Sequence, residues 1–260
     1  MAMLLSFLAI AAAVVVSLIP PGVGVGAAFG GTRLHTWFVN IALFAFMMVS
    51  VGFAIKSRWD GIFIDRDNRI SLSRFQLILW ILLLVSSLFT AGLTNATHPS
   101  AVTGQGALEI SVPPEVWALL GLGALTAVAA PVIKDARRSS GGQAQNSTVQ
   151  NLAANAVKNS QNLTAVPTFD GDVLVKAESK DARWLDIISG DYNGSSFVDA
   201  SKFQKLAFTV LLFCVYAVDL AELMNESAPV TEFPKVGAGF LALLGISHVA
   251  YLADKQLAST

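Results

Sequence analysis

The sequence predicts an all-α polytopic membrane protein of about six transmembrane helices, with an internally duplicated parallel helical hairpin and a cytoplasmic insertion between the copies. Three observations carry this expectation. The chain is 54% hydrophobic and only 13% charged, where a soluble domain carries about 25% charged residues. Apolar runs of 17 to 21 residues recur at Met3–Ile19, Trp37–Ile55, Phe75–Leu93, Val116–Ile133, Phe203–Leu223 and Val236–Leu252; a helix needs about 20 residues to cross the hydrocarbon core. Finally, the tetrapeptide Ser-[Arg/Lys]-Phe-Gln occurs twice, at Ser73 to Gln76 and Ser201 to Gln204, each time at the mouth of such a run.

Orientation follows from the basic residues. Fifteen of the seventeen Lys and Arg fall in 56–74, 134–205 or the C-terminal tail, leaving only Arg33 and Lys235 on the other side. Under the positive-inside rule those three segments are cytoplasmic. Both termini of a six-span chain then face the cytoplasm, in a membrane of the bacterial inner type. The first run lacks a basic n-region and exceeds the usual 7 to 15 apolar residues of a signal peptide, so it reads as a retained helix.

The elements follow in order. Pro20 and Pro21 end the first run, and the glycine-rich stretch from Gly22 to Gly31 reads as an external loop. Its GxGxxxG spacing is not a dinucleotide fingerprint, and no βαβ unit surrounds it. Residues 1–56 thus hold two helices and that loop. A first hairpin repeat covers 57–134, entered through Arg58-Trp59, and a second covers 183–260, entered through Arg183-Trp184. Ala118-Leu119-Leu120-Gly121 is echoed by Ala242-Leu243-Leu244-Gly245. Both outward helices start on the cytoplasmic side, so the copies are parallel, related by an axis along the membrane normal. In each tetrapeptide the Ser and Gln have the spacing of a capping box, in which Ser accepts from the third helical N–H and Gln reaches back to the cap. Gly123, Ala127, Ala238 and Ala242 suit close helix packing.

The insertion, 135–182, begins with a stretch free of charge from Ser139 to Val157 and continues into Val166 to Val175, which reads as a small hairpin around Asp170-Gly171. Beyond it, Arg183 to Ile188 has the spacing of an interfacial helix. Too little apolar material is present here for an independent enzyme domain.

Candidate chemistry is sparse. Asp219, Glu222 and Glu226 are spaced by three and four, which places them on one face at the outer end of the fifth span, with Tyr216 extending that face inward. In a symmetric oligomer they would stack as acidic rings, as in cation-selective vestibules; alternatively the helix ends near Val218 and the acids are simply solvated. Gln76 and Gln204 would pair as an inner constriction. Ser247, His248 and Tyr251 form an intramembrane polar cluster. Asp65-Arg66-Asp67 begins like a calcium loop, and Asp191, Asn193, Ser195 and Asp199 alternate like one, but both lack its glycine and closing glutamate. Cys214 is the single cysteine, so no intramolecular disulfide forms. No nucleophile elbow, P-loop, HExxH or CxxC is present. The chain is therefore expected to be non-enzymatic, without cofactor, metal or nucleic-acid partner. Two functions fit: a homo-oligomeric cation channel or small transporter, or a membrane scaffold docking a cytoplasmic protein through 135–202.

The topology is testable through residue 140. In a Cys214→Ala background, Ser140→Cys is expected to react with an impermeant thiol reagent only after cells are permeabilised; labelling from outside intact cells would reverse the orientation.

Overall fold

The computed structural model describes residues 32–97, 106–140, 168–170, 173–191 and 198–257. The run Met3–Ile19, the glycine-rich stretch, His98 and the low-complexity residues 141–157 lie outside them. Five α-helices are described: α1 (Arg33–Lys56), α2 (Leu72–Thr97), α3 (Pro114–Ser140), α4 (Ala200–Asn225) and α5 (Ala238–Leu257). Four of these, α1 to α4, are long and apolar enough to cross a membrane, and α5 is apolar but shorter. Two short strands, β1 (Thr168–Asp170) and β2 (Val173–Val175), pair antiparallel with Asp170 opposite Val173, so the expected hairpin is present.

The described residues fall into two compact units. The first is drawn from Met1–Ile62, Ile78–Gly121 and Val210–Ala242. Here α1 starts where the Thr32 side chain accepts from the His35 N–H. It ends at Ser57, whose left-handed backbone closes the last turn onto the Phe53 carbonyl. That end meets the following turn, Gly61–Phe63, so closely that a Cβ on Gly61 would lie 2.4 Å from the Gly52 carbonyl oxygen; only glycine allows the approach. Two buried hydrogen bonds tie α1 to α2: Trp37 Nε1 donates to Ser87 Oγ at 2.9 Å, and Asn40 Nδ2 to Thr90 Oγ1 at 2.8 Å. Asn95 both donates to the Val230 carbonyl and accepts from its N–H, so one side chain satisfies a whole peptide unit. Trp80 packs against Phe213 and Tyr216.

The second unit comprises Phe63–Leu77, Leu122–Thr209 and Leu243–Thr260. Its core is Ile64, Ile70, Leu72, Ala182 and Ile187, with Phe63, Phe75, Ile188 and Leu206 packed around them. Two tight loops feed α2 and α4. The first is closed by an antiparallel bridge between Ile64 and Ile70, the second by one between Ser189 and Val198, and in each case the helix begins two residues later. Strand β2 joins them: the Leu174 N–H donates to the Asp191 carbonyl and the Lys176 N–H to the Asp67 carbonyl. Arg183 to Ile188 forms a 3-10 turn over Trp184–Ile187, not an interfacial helix, because Asp186 and Ile187 are drawn into this core.

The capping expectation is corrected as well. Ser73 and Ser201 are each the second residue of their helix, not the cap. At the start of α4 the cap is Asp199, whose Oδ1 accepts from the Lys202 N–H at 3.0 Å and from Ser201 Oγ at 2.7 Å. The bridges launch the chain into helix earlier than the motif implies. The two glutamines differ despite this common start: Gln76 is buried, whereas Gln204 is exposed. Asp199→Ala is expected to cost about 0.5–2 kcal/mol, and Ser201→Ala only a fraction of that, measured by denaturation in detergent; equal losses would return the capping role to the serine.

Candidate functional site

Within the second unit the sequence-singled polar residues of α2 and α5 meet others from α4. Gln76 Nε2 donates to the Lys205 carbonyl at 3.2 Å and to Thr209 Oγ1. The Lys205 ammonium sits 4.1 Å from the Tyr251 ring centroid, a desolvated cation–π contact of the stronger kind, about 2 kcal/mol. Tyr251 Oη in turn receives the Ser73 hydroxyl at 3.5 Å. His248 lies within coulombic range of Lys205, and its ring donates to the Leu122 carbonyl. Ser247 is buried, and its hydroxyl has no hydrogen-bond partner among the described residues. Gln76, Ser247, His248 and Tyr251 thus belong to one buried neighbourhood, which Gln204 does not join.

Next to Tyr251 and Ser73 lies a dense ionic network that the sequence pattern did not disclose. Asp65 organises its own loop: Oδ1 accepts from the Asp67 and Arg69 N–H groups, and Asn68 takes a left-handed φ of 54°. This leaves the other Asp65 oxygen and the Asp67 carboxylate facing α3. Lys134 answers them at 3.3 and 2.9 Å, and lies 3.8 Å from Asp191 in the second loop. Asp191 also takes Lys202 at 2.8 Å and Arg69 at 3.2 Å. Asp65, Asp67 and Asp191, the acids that resembled calcium ligands, do converge, but around a lysine ammonium. Arg66 pairs with Asp135 and donates to the Pro131 carbonyl, pinning the C-terminal part of α3. Lys176 gives both Asp186 oxygens a contact of 2.8 Å. Burial holds this ammonium below the usual lysine range against the pull of Asp186.

A cavity of about 80 Å³ opens among these groups, walled by the first turn of α2, by Arg69, Lys134 and Lys202, and by Tyr251. Among the described residues no cluster of three or more His, Cys, Asp or Glu is arranged for a metal ion.

The acids of α4 lie in the first unit. The helix continues to Asn225, so Asp219 and Glu222 are helical, and Glu226 follows its end. With Glu232 and Lys235 they surround an open concavity of about 380 Å³. Tyr216 does not join them; it is buried, and its hydroxyl donates to the Pro234 carbonyl at 3.3 Å. The end of α4 is instead completed by Arg33, which donates to the carbonyls of Leu223, Met224, Glu226 and Ala228. A guanidinium here supplies the positive charge that a helix C-terminus favours.

No protein-family model matches the chain, and it matches neither a curated protein nor a solved structure. The helices themselves suggest the class: a membrane protein with transmembrane helices.

Because Lys134 separates three carboxylates, Lys134→Ala is expected to destabilise the protein by about 3–5 kcal/mol, the cost of breaking a buried pair. A double-mutant cycle with Asp67→Asn should show a coupling of about 0.5–3 kcal/mol, read from denaturant midpoints. A coupling near zero would mean that the ammonium is held elsewhere.

Proposed function

We propose that the protein is a non-enzymatic integral membrane protein that assembles as a homo-oligomer and passes small cations along the exposed face of α4. The observation that carries this is the layout of that face. Gln204, Ala207, Leu211, Val215, Val218 and Glu222 are all exposed, and Gln204 and Glu222 are eighteen residues apart, about five turns at 3.6 residues each. The stripe therefore has an amide at the cytoplasmic end, a carboxylate at the outer end and an apolar middle. Repeated around a symmetry axis, it makes an inner polar ring, an outer acidic ring and a hydrophobic constriction of the kind that gates by dewetting.

Other features support this function. The acids keep company with Glu232 around an open concavity, and Arg33 relieves the helix end that carries them. Lys202 and Lys205, which would repel a cation, are buried inside the protomer and off the stripe. The six-span topology with cytoplasmic termini, in a bacterial inner membrane, completes the proposal. The alternative role, a scaffold for a cytoplasmic partner, is disfavoured by β2 and the 3-10 turn at Trp184–Ile187. They are built into their unit's core and hydrogen bonds, not held out as a docking arm.

Cys214, exposed beside the stripe, makes the test direct. In planar bilayers the purified protein should conduct cations, and a cationic methanethiosulfonate should reduce the current while Cys214→Ala is insensitive. Replacing Asp219 by Asn and Glu222 and Glu226 by Gln should lower conductance at 0.1 M salt. The effect should shrink at 1 M, as the Debye length falls from about 10 to about 3 Å. Absence of current at all voltages would sink the proposal.

A further inference from the structure

The two helix entries differ in one informative respect. In the aligned tetrapeptides, Asp199 stands two residues before Ser201, and Ser71 stands two residues before Ser73. Asp199 supplies a carboxylate to the first turn of α4. At α2 the corresponding residue is neutral, and the first-turn N–H groups of Leu72, Ser73 and Arg74 have no protein acceptor among the described residues. These residues line the 80 Å³ cavity instead.

A second feature of the same cavity is independent of the helix. Arg69 is 2% exposed and lines the wall, yet among the described residues its Nε and Nη1 make no hydrogen bond. Asp191, 3.2 Å from Nη1, and Asp186, 4.0 Å from Nε, balance its charge without hydrogen-bond geometry. Buried donors left without acceptors are costly, the more so when charged. The wall carries five cationic side chains and three carboxylates, with Asp135 paired to Arg66 and Asp186 4.0 Å from Arg69 behind it. The carboxylates are already held by Lys134, Lys202 and Arg69. Orphan amides at a helix N-terminus and guanidinium donors without hydrogen bonds, on a wall lined with cationic side chains, are together the requirements of an oxyanion.

We propose that this cavity binds a phosphate group, seated on the first turn of α2 and on Arg69, in the place that the Asp199 carboxylate fills at α4. The group is either inorganic phosphate or the headgroup of an anionic phospholipid. The apolar part of the wall, from Ile70, Leu72, Ala127 and Ala130, accommodates the lipid as readily as the free ion. The assignment is independent of the conduction path.

Ser71→Asp is the decisive variant, because it gives α2 the carboxylate that α4 has. On the full chain in detergent, inorganic phosphate at constant ionic strength should raise the wild-type melting temperature by about 5 °C, as expected for a ligand near a hundredfold excess over Kd. Ser71→Asp should show no such rise and should melt at or above wild type without phosphate, whereas Ser71→Ala should keep the rise. Native mass spectrometry after reconstitution in phosphatidylcholine vesicles with one quarter phosphatidylglycerol separates the sources. A retained phosphatidylglycerol, lost about tenfold in Ser71→Asp, identifies the headgroup, while a phosphate-induced shift with no retained lipid identifies the free ion. Equilibrium dialysis of radiolabelled phosphate against wild type provides a readout should Ser71→Asp fail to fold. No binding by wild type to either probe, or binding that Ser71→Asp leaves unchanged, overturns the assignment.

Discussion

Helix ends are the costly places in a chain of this composition, and the described structure is organised around satisfying them. An α-helix leaves four N–H groups at one end and four carbonyls at the other without internal partners, and lipid offers none. The ends of α1 and α4 meet this with different chemistry. Thr32 serves the start of α1 and a left-handed Ser57 its end. Asp199 serves the start of α4, and Arg33 reaches in from α1 to serve its end. The acids at the end of α4 become tolerable through that last contact: the guanidinium places a full positive charge where the helix dipole and Glu226 are both negative.

The same constraint explains the ionic network. Lys134 and Lys202 lie close to the ends of helices, too deep to leave their charges unpaired. Their carboxylates come from loops, which turn them inward while their backbones are used in bridges. Asp65 does both at once: one oxygen closes the loop by accepting two N–H groups, and the other faces Lys134. Such pairs add little net stability over an apolar core, since desolvation offsets the attraction. Their contribution is specificity: Lys134 fits only if the Asp65 loop, the Asp191 loop and α3 are all in register.

Long apolar runs were legible because hydropathy over about 20 residues is a property of composition alone. The hairpin at Asp170 was legible because turn chemistry is local. The ionic network was not, since Asp67 and Lys134 are 67 residues apart and no periodicity links them. A usable signal did exist: Lys202 and Lys205, three apart at the mouth of an apolar run, require partners from elsewhere, which are the Asp191 carboxylate and the Tyr251 ring. The capping box misled for a different reason. Its spacing is satisfied by any Ser and Gln three apart, and it carries no information about where the preceding loop releases the chain.

That point bears on the repeated tetrapeptide. The two tetrapeptides are nearly identical, yet they enter their helices in different rotational phase. In α2 the buried positions include Ser73, Gln76 and Trp80; in α4 they include Lys202, Lys205 and Thr209, which fall one residue later in the aligned motif. One residue is about 100° of rotation, enough to carry Gln204 to the surface and to replace Gln76 with a lysine in the interior. A shared motif therefore specifies a shared start, two residues after a bridge, but not a shared face. The face is decided by what packs against it. For α4 that includes two ammonium groups which must be turned toward the Asp191 carboxylate and the Tyr251 ring, and this requirement outweighs the identity of the four residues around them.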